Sequence, residues 1–152
     1  NGFAVVGIAP KLGVRESRRI VGEVIVTEND CNEGRRFPDA ITSSSRGLDS
    51  WEPDRKKIFY ARSAMYDIPY RALVPKRIDG LLVAGRCLSA THIAMSGFRV
   101  MVTVSSIGQA AGIAAAQAAA TGRMPREIDV AQLQARLESP PHNVIWSKHR
   151  EE

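Results

Sequence analysis

The sequence predicts an α/β fold, on three observations. The run "LLVAG", Leu81 to Gly85, is short, apolar and unbroken, as a strand buried in a parallel sheet would be. A polar loop follows, Arg86 to Phe98, and then a stretch of small apolar residues from about Arg99 to Thr121 that reads as a helix. Two earlier segments, Ile20 to Thr27 and Ala64 to Pro75, have strand-like composition or alternation. A strand that ends in glycine and feeds a loop and then a helix opens a crevice at its carboxyl end, where open α/β sheets bind ligands.

Taken in order, "IVGEVIVT" is rich in β-branched residues and predicts a strand over Ile20 to Thr27, preceded by the arginine-rich "GVRESRR". Thr27 with Asp30 three residues on is a capping pair, so a helix should begin there and stop before Pro38. Ser43 to Lys57 opens with the run Ser43 to Ser45, holds Gly47 and Pro53, and reads as a loop excursion. In "AMYDIPYRALVP" Tyr66, Ile68, Tyr70 and Ala72 alternate with the other residues, and Pro69 demands an edge position or a bend. Gly122 fits the residue after the long helix. "DVAQLQARLES" is an amphipathic helix capped by Asp129 and stopped by Pro140-Pro141. The organisation expected is a substrate-side segment over 1–78, a cofactor-binding segment over 79–139 and a polar tail over 140–152.

The chain has 152 residues, the size of one domain, with 44% hydrophobic and 24% charged residues. The net charge of +5 is spread over separate clusters with no stripe of aromatics interleaved, which argues against a nucleic-acid binder. The two cysteines, Cys31 and Cys87, are far apart and form no metal-like spacing, so free thiols and no metal site are expected. The apolar stretch Val100 to Ala120 has a Gly108–Gly112 pair, but serines and glutamines interrupt it, and a buried soluble helix is expected rather than a membrane span. "NGFAVVGIAPK" has no signal-peptide pattern, so the expected location is cytoplasmic. Two glycines in a helix cost about 2 kcal/mol together relative to alanine. Close approach of a backbone or a ligand would offset that, and Gly108 and Gly112 share one helical face.

"DIPYRALVPKRIDGLLVAGRCLSATH", followed by "RVM" and "GQAAGIAAA", resembles the C-terminal part of the FAD-dependent oxidoreductases of the glutathione-reductase-type superfamily. More narrowly it resembles a bacterial group sometimes labelled xanthan lyase. The resemblance runs from about Leu12 to Leu137, with a gap at the Ser43 to Lys57 loop. It implies a Rossmann-type FAD-binding fold with a β-rich substrate-side segment. It also implies FAD as cofactor, a small organic substrate, and transfer of a hydride or electron pair between them. By the same resemblance Gly85 and Arg86 approach the ribityl–pyrophosphate part of FAD. The next helix start, Ser96 to Met101 with Gly97 and Arg99, faces the pyrimidine edge of the flavin. The family's usual "ATHEAHGS" reads "ATHIAMSG" here, so His92 matches while Ile93 and Met95 replace the usual Glu and His, and Val102 stands in place of a Pro.

His92, Arg15 and Arg71 are the catalytic candidates: a base beside the flavin, an anion-binding cation, and a residue of the substrate side next to Tyr70. Arg18 and Arg19 share the anion reading with Arg15, and Cys87 could meet flavin or substrate. The dinucleotide fingerprint GxGxxG does not occur in the chain. The expectation is therefore an incomplete fragment whose partner is an N-terminal FAD-binding half. Such a piece on its own should be empty of flavin and inactive, and prone to form a homo-oligomer. The rival reading is a non-catalytic binding or assembly module that keeps the frame without flavin.

Overall fold

The computed structural model describes residues 2–11, 13–52, 57–142 and 144. Helix α1 (Glu28–Glu33) is followed by strands β1 (Ala40–Ser44), β2 (Leu48–Glu52), β3 (Lys57–Ala61) and β4 (Tyr66–Pro69). Three helices complete the order: α2 (His92–Phe98), α3 (Met101–Thr121) and α4 (Val130–Glu138). Mixed helices and small sheets are compatible with an α/β chain. The sheets, however, are two antiparallel pairs, β1 with β4 and β2 with β3, where a parallel sheet was expected.

The caps form as the sequence directs. Thr27 and Asp30 make a reciprocal capping box at α1. Asp129 accepts from the backbone of Gln132 at α4. Gly122, at φ 65°, ends α3 in the left-handed conformation that favours glycine. Strand β4 is buried at all four residues and pairs only with β1 among the described residues, which leaves Pro69 on an edge.

Around that pair the core assembles. Ile41, Ile68, Tyr66 and Leu73 pack with Ile107, Ala110 and Ala114 of α3 and with Leu133 and Leu137 of α4, all completely or almost completely buried. Each large aliphatic side chain so buried contributes about 1.5–3 kcal/mol. On α3 the buried residues Thr103, Ile107, Ala110, Ala114, Gln117 and Ala118 form one stripe at helical spacing.

Four expectations are corrected. The Ser43 to Lys57 excursion contains the hairpin β2–β3, with Leu48 opposite Ala61 and Ser50 opposite Phe59; residues 53–56 lie outside the described residues. Its alternation was hidden because one inward position is the polar Ser50, buried like Leu48. Ile20 to Thr27 is extended but is no regular strand, making only isolated bridges from Gly22 to Pro75 and from Val26 to Ala90. Gly22 donates its N–H to the Ser89 hydroxyl, which takes it out of any backbone ladder, and Val21 and Ile25 are exposed.

"LLVAG" is likewise extended without forming a strand. Val83 donates to the Leu73 carbonyl, but Leu81 is exposed and residues 82–85 are only half-buried. A buried parallel strand needs neighbours on both sides, and the described residues do not flank this one on both. Finally, the loop before the long helix is itself helical. Thr91 caps α2 by accepting from the Ala94 N–H, and extended backbone at Val100 then breaks the path, so that α2 and α3 meet at 96°. Among the described residues no single helix is long and apolar enough to cross a membrane.

Candidate functional site

The break between α2 and α3 lies beside the turn that ends "LLVAG". Gly85 has φ +87°, a conformation that strains any residue with a side chain, and a Cβ there would meet only Val104, at 4.0 Å. The turn closes with a Leu88 N–H bond to the Gly85 carbonyl and a Cys87 Sγ–H contact to the Ala84 carbonyl at 3.3 Å. Arg86 reaches across to the Val14 carbonyl at 2.9 Å, and the Ile20 N–H donates to the Cys87 carbonyl. The arginine-rich segment is thereby laid along the turn. Between them is a cavity of about 300 Å³ lined by Arg15, Glu16, Arg18, Arg86 and Cys87 among others. Three arginines against one carboxylate give it a positive field suited to an anion.

Glu16 is the hub of the site. Its carboxylate is almost buried and meets three basic side chains: Arg19, His92 through Nδ1 at 2.9 Å, and Arg99 at 3.5 Å. The far side of the His92 ring meets Ser50, with Nε2 and Oγ 2.7 Å apart. Arg99 also donates to the Asp49 carbonyl at 3.2 Å and lies 3.6 Å from the Asp49 carboxylate. The Ser96 hydroxyl accepts from the Asp49 N–H and donates to the Ile93 carbonyl, tying β2 to α2. From the other side, Thr91 donates to Glu28 at 2.7 Å, and that bond holds the Glu28 carboxyl below its ordinary pKa.

The predicted site residues divide clearly. His92, Arg15, Arg86 and Arg99 come together around Glu16 and the Gly85 turn. Met101 is exposed at the start of α3, whose first turn has no side-chain cap and leaves its N–H groups open. Ser96 and Gly97 point the other way. Both are buried, and a Cβ on Gly97 would lie 2.7 Å from Leu48 and from the Tyr66 hydroxyl. Arg71 stands apart, in a bidentate pair with Asp39 that holds its pKa above the ordinary value. It lines a separate cavity of about 440 Å³ with Tyr70, Arg126 and Gln134.

Gly108 and Gly112 face open space: a Cβ on either would meet nothing within 4 Å. Close packing against the described residues is therefore not what they serve. Glu16, Ser50 and Asp49 are the residues that sequence reasoning missed. Glu16 carried a signal as the one acid inside "GVRESRR"; Ser50 carried none.

The sequence model of the family described as FAD dependent oxidoreductase matches residues 1–137. The chain belongs to that family. No curated protein and no solved structure matches it. Membership makes it a flavin oxidoreductase in the broad sense, with FAD as the cofactor of full-length members. In such enzymes the cofactor carries the electron chemistry while the protein binds, orients and supplies charge.

Proposed function

We propose that this chain is the C-terminal wall of a glutathione-reductase-type FAD site, and that a separate segment supplies the ADP-binding half. The observation that carries the reading is the bend at Arg99-Val100. It opens the uncapped start of the 21-residue α3 beside a positive cavity and a histidine held by a carboxylate. A helix start offers free N–H groups and about half a positive charge. The residues present fit the cofactor: Arg86 with Arg15 and Arg18 suits its pyrophosphate, and the α3 N–H groups suit the electron-rich edge of its ring.

The outer face of α3 supports the second part. Its exposed positions include Met101, Val102, Gly108 and Gly112, and α3 contains no charged residue at all. Water-facing helices normally place charges there, so a face this bare suits cover by cofactor or protein.

FAD, held by Arg86, Arg15, Arg18 and the α3 N–H groups, would supply the capacity to exchange a hydride or electron pair with a small organic substrate. The chain's own residues do the rest. Arg99 places positive charge at the helix start, Gly85 keeps the turn free of a side chain, and His92 accepts a proton from the substrate side. Arg99→Ala tests the placement. In the intact flavoenzyme it should lower the flavin potential by about 10–20 mV, the equivalent of roughly 0.5–1 kcal/mol for two electrons. A potential unchanged within error, with flavin still bound, would put Arg99 and the α3 start away from the ring.

A further inference from the structure

We infer that Glu16 and Ser50 are positioning residues that fix His92 as its Nδ1–H tautomer and reserve Nε2 as the atom that takes up a proton. The inference rests on the reading of His92 as a proton acceptor, and extends it to two further residues. The geometry is a three-membered chain, Ser50 Oγ to His92 Nε2 at 2.7 Å and His92 Nδ1 to Glu16 Oε1 at 2.9 Å. An ionised carboxylate only accepts, so the ring nitrogen facing Glu16 must donate. A neutral ring then has its lone pair at Nε2, and Ser50 donates to it.

Each member is held by a different part of the fold. Ser50 is the inward polar position of β2, His92 the first residue of α2, and Glu16 part of the arginine-rich segment; Ser50 and Glu16 are 42 and 76 positions from His92 in the chain. A buried serine hydroxyl left without a partner costs about 1–3 kcal/mol, so its place opposite the ring is selective. The carboxylate is in turn oriented by Arg19 and Arg99, and Asp49 balances Arg99 from β2. Ser50 is 2% exposed whereas the His92 side chain is 53% exposed. The serine is therefore too enclosed to attack a substrate, while the imidazole is reachable.

Where a substrate hydroxyl would lose its proton as its C–H hydride leaves for the cofactor, Nε2 would take that proton, displacing the Ser50 donor from its lone pair. One proton and one hydride leave the substrate, which becomes a carbonyl. The imidazolium that forms is already paired with Glu16.

The tautomer can be read without cofactor or substrate, from long-range ¹H–¹⁵N NMR of the chain labelled at histidine. The expected result is a protonated Nδ1 and an unprotonated Nε2 for His92 in the native chain and in Ser50→Ala. In Glu16→Ala the proton should move to Nε2, while Glu16→Asp restores the native pattern. Acylation of His92 by diethyl pyrocarbonate, followed on its peptide, should be roughly fivefold faster in Ser50→Ala, where Nε2 has lost its hydrogen-bonded cap. A native ring protonated at Nε2, a tautomer indifferent to Glu16→Ala, or labelling of Ser50 by a fluorophosphonate would each overturn the inference. An intact protein that holds no flavin, with the tautomer pattern as expected, would instead count against the cofactor reading and leave the positioning roles standing.

Discussion

Helices α2 and α3 both contain glycine, for opposite reasons. Gly97 in α2 is pressed against its own protein, with Leu48, the Tyr66 hydroxyl and the Arg46 carbonyl all inside ordinary contact distance of a would-be Cβ. Gly108 and Gly112 in α3 touch nothing there. The first glycine is a packing requirement of this chain. The other two lower helix stability without any return from packing among the described residues, which directs attention to what lies beyond them. A small residue in a sequence thus says that space is needed, and only the structure says on which side.

The comparison breaks most visibly at Gly97. Gly97→Ala should destabilise the chain by about 1–3 kcal/mol, because the Arg46 backbone cannot yield as the Leu48 side chain can. A thermal melt should show the loss as several degrees, and an unchanged midpoint would mean that the α2–β2 contact is loose.

Next in size is the acid dependence of α1, which packs on α2. Asp30 is buried, which by itself raises its pKa, but its bonds to Arg35 and Thr27 outweigh that and lower it below the ordinary value. A carboxylate whose folded pKa is depressed stabilises the fold above its unfolded pKa, near 3.9, and the gain is lost as pH falls through the folded value. Asp30→Asn should therefore cost about 1 kcal/mol at pH 7. The two proteins should converge in stability toward pH 2–3, as followed by denaturant titration at each pH.

Gly112→Ala should act in the reverse direction, raising stability by about 0.8–1 kcal/mol through helix propensity alone. The same variant in the intact flavoenzyme should hold FAD or the partner segment less well, as equilibrium dialysis can measure. A fall in the melting temperature of the chain would mean that the glycine face is packed after all.

The smallest effect concerns the thiols, and it leaves stability untouched. Burial pushes the Cys31 thiol up to about 12, whereas Cys87 is exposed in the Gly85 turn. In the native chain a disulfide reagent should modify Cys87 alone, and Cys31 should react only after denaturant is added.

What could be read from the sequence was what is local. Thr27 with Asp30, Asp129 and Gly122 mark helix ends through bonds spanning a few residues, and all three act as expected. The hairpin β2–β3 was illegible because Ser50 occupies an inward position where alternation calls for an apolar residue. Ile20 to Thr27 misled through composition, since β-branched residues make a strand only where a neighbour is present to form the ladder. At the candidate site, motif and charge pointed to His92, Arg15, Arg86 and Arg99, which the structure brings together. The hub Glu16 was not, because the contacts that define it span 76 and 83 positions of chain. Arg71 looked equally suited to chemistry until Asp39 proved to hold it in another cavity.

The central claim is that this chain supplies one wall of a flavin site and that its bare α3 face awaits the other. A titration of the 152-residue chain with FAD, followed by flavin fluorescence with light scattering alongside, tests it most directly. A few exposed helix-terminus contacts give about 0.3–1 kcal/mol each, against the roughly 8 kcal/mol that micromolar binding needs. The account predicts no tight binding by the chain alone, and self-association through the uncovered face. Stoichiometric, tight binding of FAD by a monomer would contradict it.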